Sequence, residues 1–161
     1  MTIAEKEGWI DQFEQGSAAF DDVLLMSPEL QRFRPSVDAW TIHEHLVHFV
    51  DSEIATFHRY RKAIAEPQGQ VVGYDESVWT ASLRYHSVDL HDMVSLLKLL
   101  RKVASSHLKS IVTQDWSAFS YEHDSQGLVT LESWIKEYVD HVRFHREYIN
   151  RNIALFAKNG R

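Results

Sequence analysis

The chain has 161 residues, 44% of them hydrophobic and 25% charged, with a formal net charge of -6. That balance fits one globular domain spanning residues 1–161. Lys and Arg are scattered along an acidic chain, which argues against nucleic acid as a partner, and no apolar run approaches membrane-spanning length. Cysteine is absent, so disulfides, thiolate zinc sites and a protein-borne thiol nucleophile are excluded.

The first residues, Met1 to Gly8, carry charge and no apolar targeting core, so the expected location is the cytoplasm. A first helix is expected from about Ile3 to Leu25, opened by a Thr2-x-x-Glu5 capping box and carrying Trp9, Ile10, Phe13, Phe20, Val23 and Leu24 at helical spacing. The connector Ser27–Pro28–Glu29 and Arg34–Pro35–Ser36 follows, where proline blocks a continuous helix. Thr41 and Glu44 form a second capping box, which starts a helix near residue 42. It runs to about Ile64 on Leu46, Val47, Phe49, Val50, Ile54 and Phe57.

Past a loop with Pro67, Gly69 and Gly73, Asp75 is placed to cap a short helix bearing Val78, Trp79 and Leu83. Ser87 is the expected cap of a third long helix, Val88 to about Val112, with Met93, Leu96, Leu97, Leu100, Val103 and Leu108 inward. An irregular stretch around Trp116, Phe119 and Gly127 leads to a fourth, from about Thr130 to Phe156. No segment reads as a sheet. Four long amphipathic helices favour an all-α four-helix bundle with irregular connectors and a short extra helix.

The fourth helix carries the chemistry. Its apolar stripe runs Trp134, Tyr138, His141, His145, Ile149, Phe156, and a buried imidazole needs either a hydrogen-bond partner or a ligand. His141 and His145 stand four apart and point to one side of the helix, a geometry that a divalent metal accepts. His48, two turns into the second helix, offers a third nitrogen, with Asp51 or Glu44 placed to hold its other ring proton. The other histidines, 43, 45, 58, 86, 91, 107 and 123, fit solvated or capping positions. Zinc-protease and di-iron patterns fail: Val47 stands where the protease helix needs histidine, and no Glu-x-x-His pair occurs.

Trp40–Thr41–Ile42–His43–Glu44–His45–Leu46–Val47–His48–Phe49–Val50–Asp51 resembles the segment that opens the second helix of the DinB-like (DinB/YfiT-like) metalloenzymes. Tyr74 to Trp79 with Leu83–Arg84–Tyr85 is similar to that family's middle, and Gly127 to Leu131, leading to His141 and His145, to its last helix. The resemblance implies a four-helix bundle holding one divalent ion, zinc or nickel, on His48, His141 and His145, and a homodimer. It also implies a small-molecule substrate and a reaction in one of two classes, hydrolysis or transfer dependent on a low-molecular-weight thiol. For a thiol transferase, Arg84 or Arg143 would hold the thiol's carboxylates. The alternative is a non-catalytic small-molecule-binding or stress-response bundle. Its three imidazoles would bond internally to Tyr138, Asp51 or backbone carbonyls, with Phe144 or Leu155 at a dimer interface.

Overall fold

The computed structural model describes residues 1–159. Its helices are α1 (Ile3–Gln15), α2 (Pro28–Gln31), α3 (Ile42–Ala65), α4 (Glu76–Ser82), α5 (Leu90–Ser110) and α6 (Leu131–Asn159), and its strands β1 (Gly69–Val71), β2 (Ser120–His123) and β3 (Gly127–Thr130). Both capping boxes form: Thr2 accepts from the Glu5 amide and Thr41 from the Glu44 amide, each glutamate reaching back to the cap. Asp75 caps α4 as expected, accepting from Val78 N at 2.9 Å. The cap of α5 is Asp89, which accepts from His91 N and Asp92 N. Ser87 instead ends a 3₁₀ turn and donates back to the Arg84 carbonyl.

The first helix changes character at Gly16, and residues Gly16–Leu25 wind as a 3₁₀ helix. Gly16 is required by a close approach, since a Cβ there would lie 2.5 Å from Arg101 Nη1. Arg101, wholly buried on α5, donates to the carbonyls of Phe13 and Tyr138 and pairs with buried Glu53 on α3. A cation thus ties all four long elements together across the core.

The helices form a four-helix bundle in which α1 packs on α5 and α6, and so does α3. Sequence neighbours α1 and α3 therefore stand across the bundle, with the crossing supplied by the connector that contains α2. Apolar burial is split into two clusters. One surrounds Phe13, Tyr60, Trp116 and Trp134, and the other Phe20, Leu46, Phe49, Leu97 and Ile149. Two side chains expected inward face solvent: Ile54 is 45% and Val103 43% exposed.

The expectation of no sheet is wrong. β1 pairs parallel with β2, Gly69 opposite Tyr121, and β2 pairs antiparallel with β3, Ser120 opposite Thr130. The strands are three and four residues long, at or below the shortest run over which alternation can be read, and neither β2 nor β3 alternates in burial. Gly127, at φ +73°, takes the chain out of the hairpin turn into β3. The sheet covers one end of the core through Val71, Tyr121 and Val129, and delivers the chain into α6, where Thr130 Oγ1 accepts from Ser133 N. Among the described residues, no helix is long and apolar enough to cross a membrane.

Candidate metal centre

The second capping box sets the position of the first imidazole. With Thr41 as cap, His48 lies two turns into α3, and its side chain is 2% exposed. On α6, packed directly against α3, His141 and His145 stand one turn apart. Among the described residues, His48, His141 and His145 are the group in which each imidazole offers a nitrogen within 4.8 Å of the others. The ring centroids are 6.3 Å apart for His48 and His141, 5.2 Å for His48 and His145, and 4.5 Å for His141 and His145.

The donor set fits a divalent ion. His141 Nε2 and His145 Nε2 face each other at 3.0 Å, and the other nitrogens, His48 Nδ1 and His141 Nδ1, are buried without a partner. Burial, the largest cause for all three, holds them neutral: His48 is lowered to about 4, His141 to about 3 and His145 to about 2. Mutual repulsion lowers the two on α6 further, and neutral imidazole is the form that binds metal. None of the three bonds to Tyr138, Asp51 or a backbone carbonyl; His145 pairs with His45 and His141, while one nitrogen each of His48 and His141 stays without a protein partner.

The supporting residues differ from those expected. Asp51 accepts from the Tyr85 hydroxyl at 2.6 Å, and Glu44 is committed to the cap, Arg34 and His86, so neither holds a proton of His48. The carboxylate nearest that imidazole is Glu76, whose Oε2 lies 3.8 Å from His48 Nε2. His45, expected at a solvated or capping position, is buried, and its Nδ1 meets His145 Nδ1 at 3.2 Å. His43 and His123 are buried too. His43 Nε2 pairs with the Tyr85 carbonyl, and His123 Nδ1 accepts from the Ser125 amide. The signal for His45 was present, since it lies three residues before His48 and therefore on the same face of α3. Glu76 had only its place beside the Asp75 cap.

A cavity of about 530 Å³ opens on the three imidazoles. Trp40, Phe144 and Tyr148 give it apolar walls, and Ser36, Asp38, Glu76 and Arg151 polar ones. The Trp40 ring packs on His48 at 4.8 Å, held by Asn152 Nδ2 donating to the Trp40 carbonyl. Arg151 stacks on Tyr148, which stacks on His45. Neither arginine singled out from sequence borders this cavity. Arg143 is exposed beside Asp140, and Arg84 lines a separate surface depression. Phe144, considered for a dimer interface, borders the cavity and is 51% exposed.

The model of the DinB superfamily matches residues 12–149. "Putative metal-dependent hydrolase YfiT" of Bacillus subtilis is 24% identical over 146 residues, covering 90% of this chain and 82% of that protein. A Bacillus pumilus protein named "Putative metal-dependent hydrolase" is 23% identical over 153 residues, or 94% and 87% of the two chains. The solved structure of Bacillus subtilis YfiT, described as having an unusual four-helix bundle topology, superposes with a TM-score of 0.88 at 21% identity. It covers 98% of this chain and 90% of that one.

Proposed function

The chain belongs to the DinB superfamily, and from that premise we propose that it is a metal-dependent hydrolase acting on a small molecule, with His48, His141 and His145 as the metal ligands. The observation that carries the reading is the convergence of three neutral imidazoles, two buried and one half-buried, from facing helices at the floor of an open cavity. Three protein ligands with an open position are the catalytic rather than the structural kind of site. A zinc or nickel ion bound there would polarise a substrate oxygen and make its bound water acidic enough to ionise near neutral pH.

The chain's own residues supply the remaining parts. Glu76 lies beside His48 but outside the group of converging nitrogens, where its carboxylate is placed to accept a proton from water at the centre. Trp40, Phe144 and Tyr148 take the apolar part of the substrate and limit water around the reacting bond. The relatives' names support hydrolysis over other chemistry.

A thiol-dependent transferase is the second reading, favoured by a cavity volume of about 530 Å³, ample for a substrate and a small thiol together. The two separate in one screen of the purified, untagged protein. Metal analysis is expected to find about one divalent ion per chain. Activity on hydrolase substrates without thiol supports hydrolysis, and conjugation of electrophiles only with added thiol replaces it by transfer. A preparation that carries no metal and takes up neither zinc nor nickel overturns both readings.

A further inference from the structure

A second, polar cavity of about 200 Å³ adjoins the imidazole centre, and nothing in the preceding mechanism uses it. One wall is α3, through Ser52 and Arg59, and the facing wall is α6, through Glu137, Tyr138 and His141. Tyr74 closes it from the connector. His141 and Glu76 border both cavities, so these two side chains form the partition between them. Arg59 follows His48 by eleven residues, three helical turns or roughly 16 Å along the same face.

Arg59 is the unusual member. It is only 9% exposed, yet among the described residues its guanidinium forms no ion pair and donates no hydrogen bond. None of its nitrogens is sealed off, and the side chain lines the cavity, so its donors stay accessible to an occupant. The other buried arginine behaves differently: Arg101 is paired with Glu53 and bonded to two carbonyls. Burying a cation is costly unless something compensates it. The planar fork of a guanidinium matches the two oxygens of a carboxylate or phosphate. Glu137 and Glu76 border the same space, yet neither pairs with Arg59, so among the described residues no carboxylate is bonded to it.

We propose that this cavity is an oxyanion-binding subsite, in which Arg59 anchors a carboxylate or phosphate group of the small molecule whose reactive bond sits at the imidazole centre. The anchoring of an anion stands on Arg59 alone; its coupling to chemistry rests on the metal-dependent reading above. The substrate class is then an anionic metabolite, with its charged group in the polar cavity and its scissile bond beyond the His141–Glu76 partition.

The test titrates the full-length protein, metal-free and zinc-loaded, with sodium acetate and with sodium phosphate at constant ionic strength, read by calorimetry and by melting midpoint. Saturable binding of at least one anion by the metal-free protein is expected, with a raised midpoint. The preferred anion tells carboxylate from phosphate. Arg59→Gln should abolish this binding, Arg59→Lys weaken it about tenfold through loss of the fork, and Glu137→Gln tighten it by relieving repulsion. Circular dichroism checks that each variant folds, and Arg59→Lys and Glu137→Gln decide the matter if Arg59→Gln does not. Failure of both anions to bind wild type overturns the proposal, as does unchanged binding in Arg59→Lys and Glu137→Gln together. Anion binding that requires zinc and ignores Arg59 also overturns it, since the ion would then be the receptor. Saturable, Arg59-dependent binding by a protein that takes up no metal would sink the hydrolase reading and leave the subsite standing.

Discussion

His45 Nδ1 and His145 Nδ1 lie 3.2 Å apart, so one nitrogen of the pair carries the hydrogen and the other accepts it. The Nε2 of His145 faces His141 and the centre of the imidazole group. A ligand that binds metal through Nε2 keeps its hydrogen on Nδ1, which makes His145 the donor and His45 the acceptor. A carboxylate or carbonyl usually occupies that outer position; here a second imidazole does. Replacing His45 with phenylalanine keeps the stack on Tyr148 but removes the acceptor. Zinc affinity, measured by competition with a chelator, is expected to fall about 10- to 100-fold with helical content unchanged. Undiminished affinity would remove His45 from the site's support.

Much of this architecture was legible in the sequence because it depends on local rules. Thr41 and Glu44 fix the start of α3, and with it the depth of His48; the stripe from Trp134 to Ile149 fixes which face of α6 turns inward. The histidine set follows from those two registers alone. What escaped were features that depend on the partner helix. Val103 looks inward by spacing, but the bundle turns α5 so that Arg101 and Ala104 take the core, and Glu53 makes a buried arginine tolerable there. His45 and Glu76 escaped for the same reason: each matters through a side chain distant in sequence, His145 for one and His48 for the other.

The depressed imidazoles have a consequence for acid stability. His45 is lowered to about 4 by burial first, as His48 is, and His141 and His145 to about 3 and 2. In the unfolded chain each titrates near 6.5, so below that pH the unfolded state binds more protons than the native one. Stability of the metal-free protein is therefore full above about 6.5, falls as pH drops below it and levels off only beneath the native values. Urea midpoints taken from pH 8 to pH 4 check this. A flat profile would mean that the imidazoles are already solvated.

The same shifts set the pH dependence of metal uptake by the folded protein. An ordinary imidazole near 6.5 loses about tenfold in availability per ligand by pH 5.5. Here the three imidazoles remain neutral at that pH, so zinc affinity is expected to change by less than about threefold between pH 7.5 and 5.5. Competition titrations at both values measure it. A loss near a thousandfold would show that the three titrate as free histidines do.

Arg101 and Glu53 are 0% and 2% exposed and pair at 2.5 Å. Arg101→Met strands a buried carboxylate and frees the Phe13 and Tyr138 carbonyls, at an expected cost of about 3–5 kcal/mol in urea unfolding. Removing both charges, as Arg101→Met with Glu53→Leu, should recover much of that loss, because the desolvation penalty disappears with the pair. A double variant no more stable than Arg101→Met alone would place the cost in the lost carbonyl bonds instead.

Glu76 is the last group whose role can be separated by substitution. It stands at the first position of α4, fixed by the Asp75 cap, with its carboxyl raised above the ordinary range by burial first and by Asp75 second. A carboxylate 3.8 Å from His48 Nε2 is placed either to accept a proton from water at the centre or to bind the ion itself. Glu76→Gln keeps size and polarity and removes the base. If the carboxylate moves a proton, metal content stays at the wild-type value while turnover of an activated ester such as p-nitrophenyl acetate falls about 10²- to 10⁴-fold. If metal content falls with activity, the carboxylate is a ligand and the centre is a three-histidine, one-carboxylate site with no open position. Elemental analysis and initial rates on the same preparation distinguish the two, because only an acceptor role leaves the ion in place while the reaction slows.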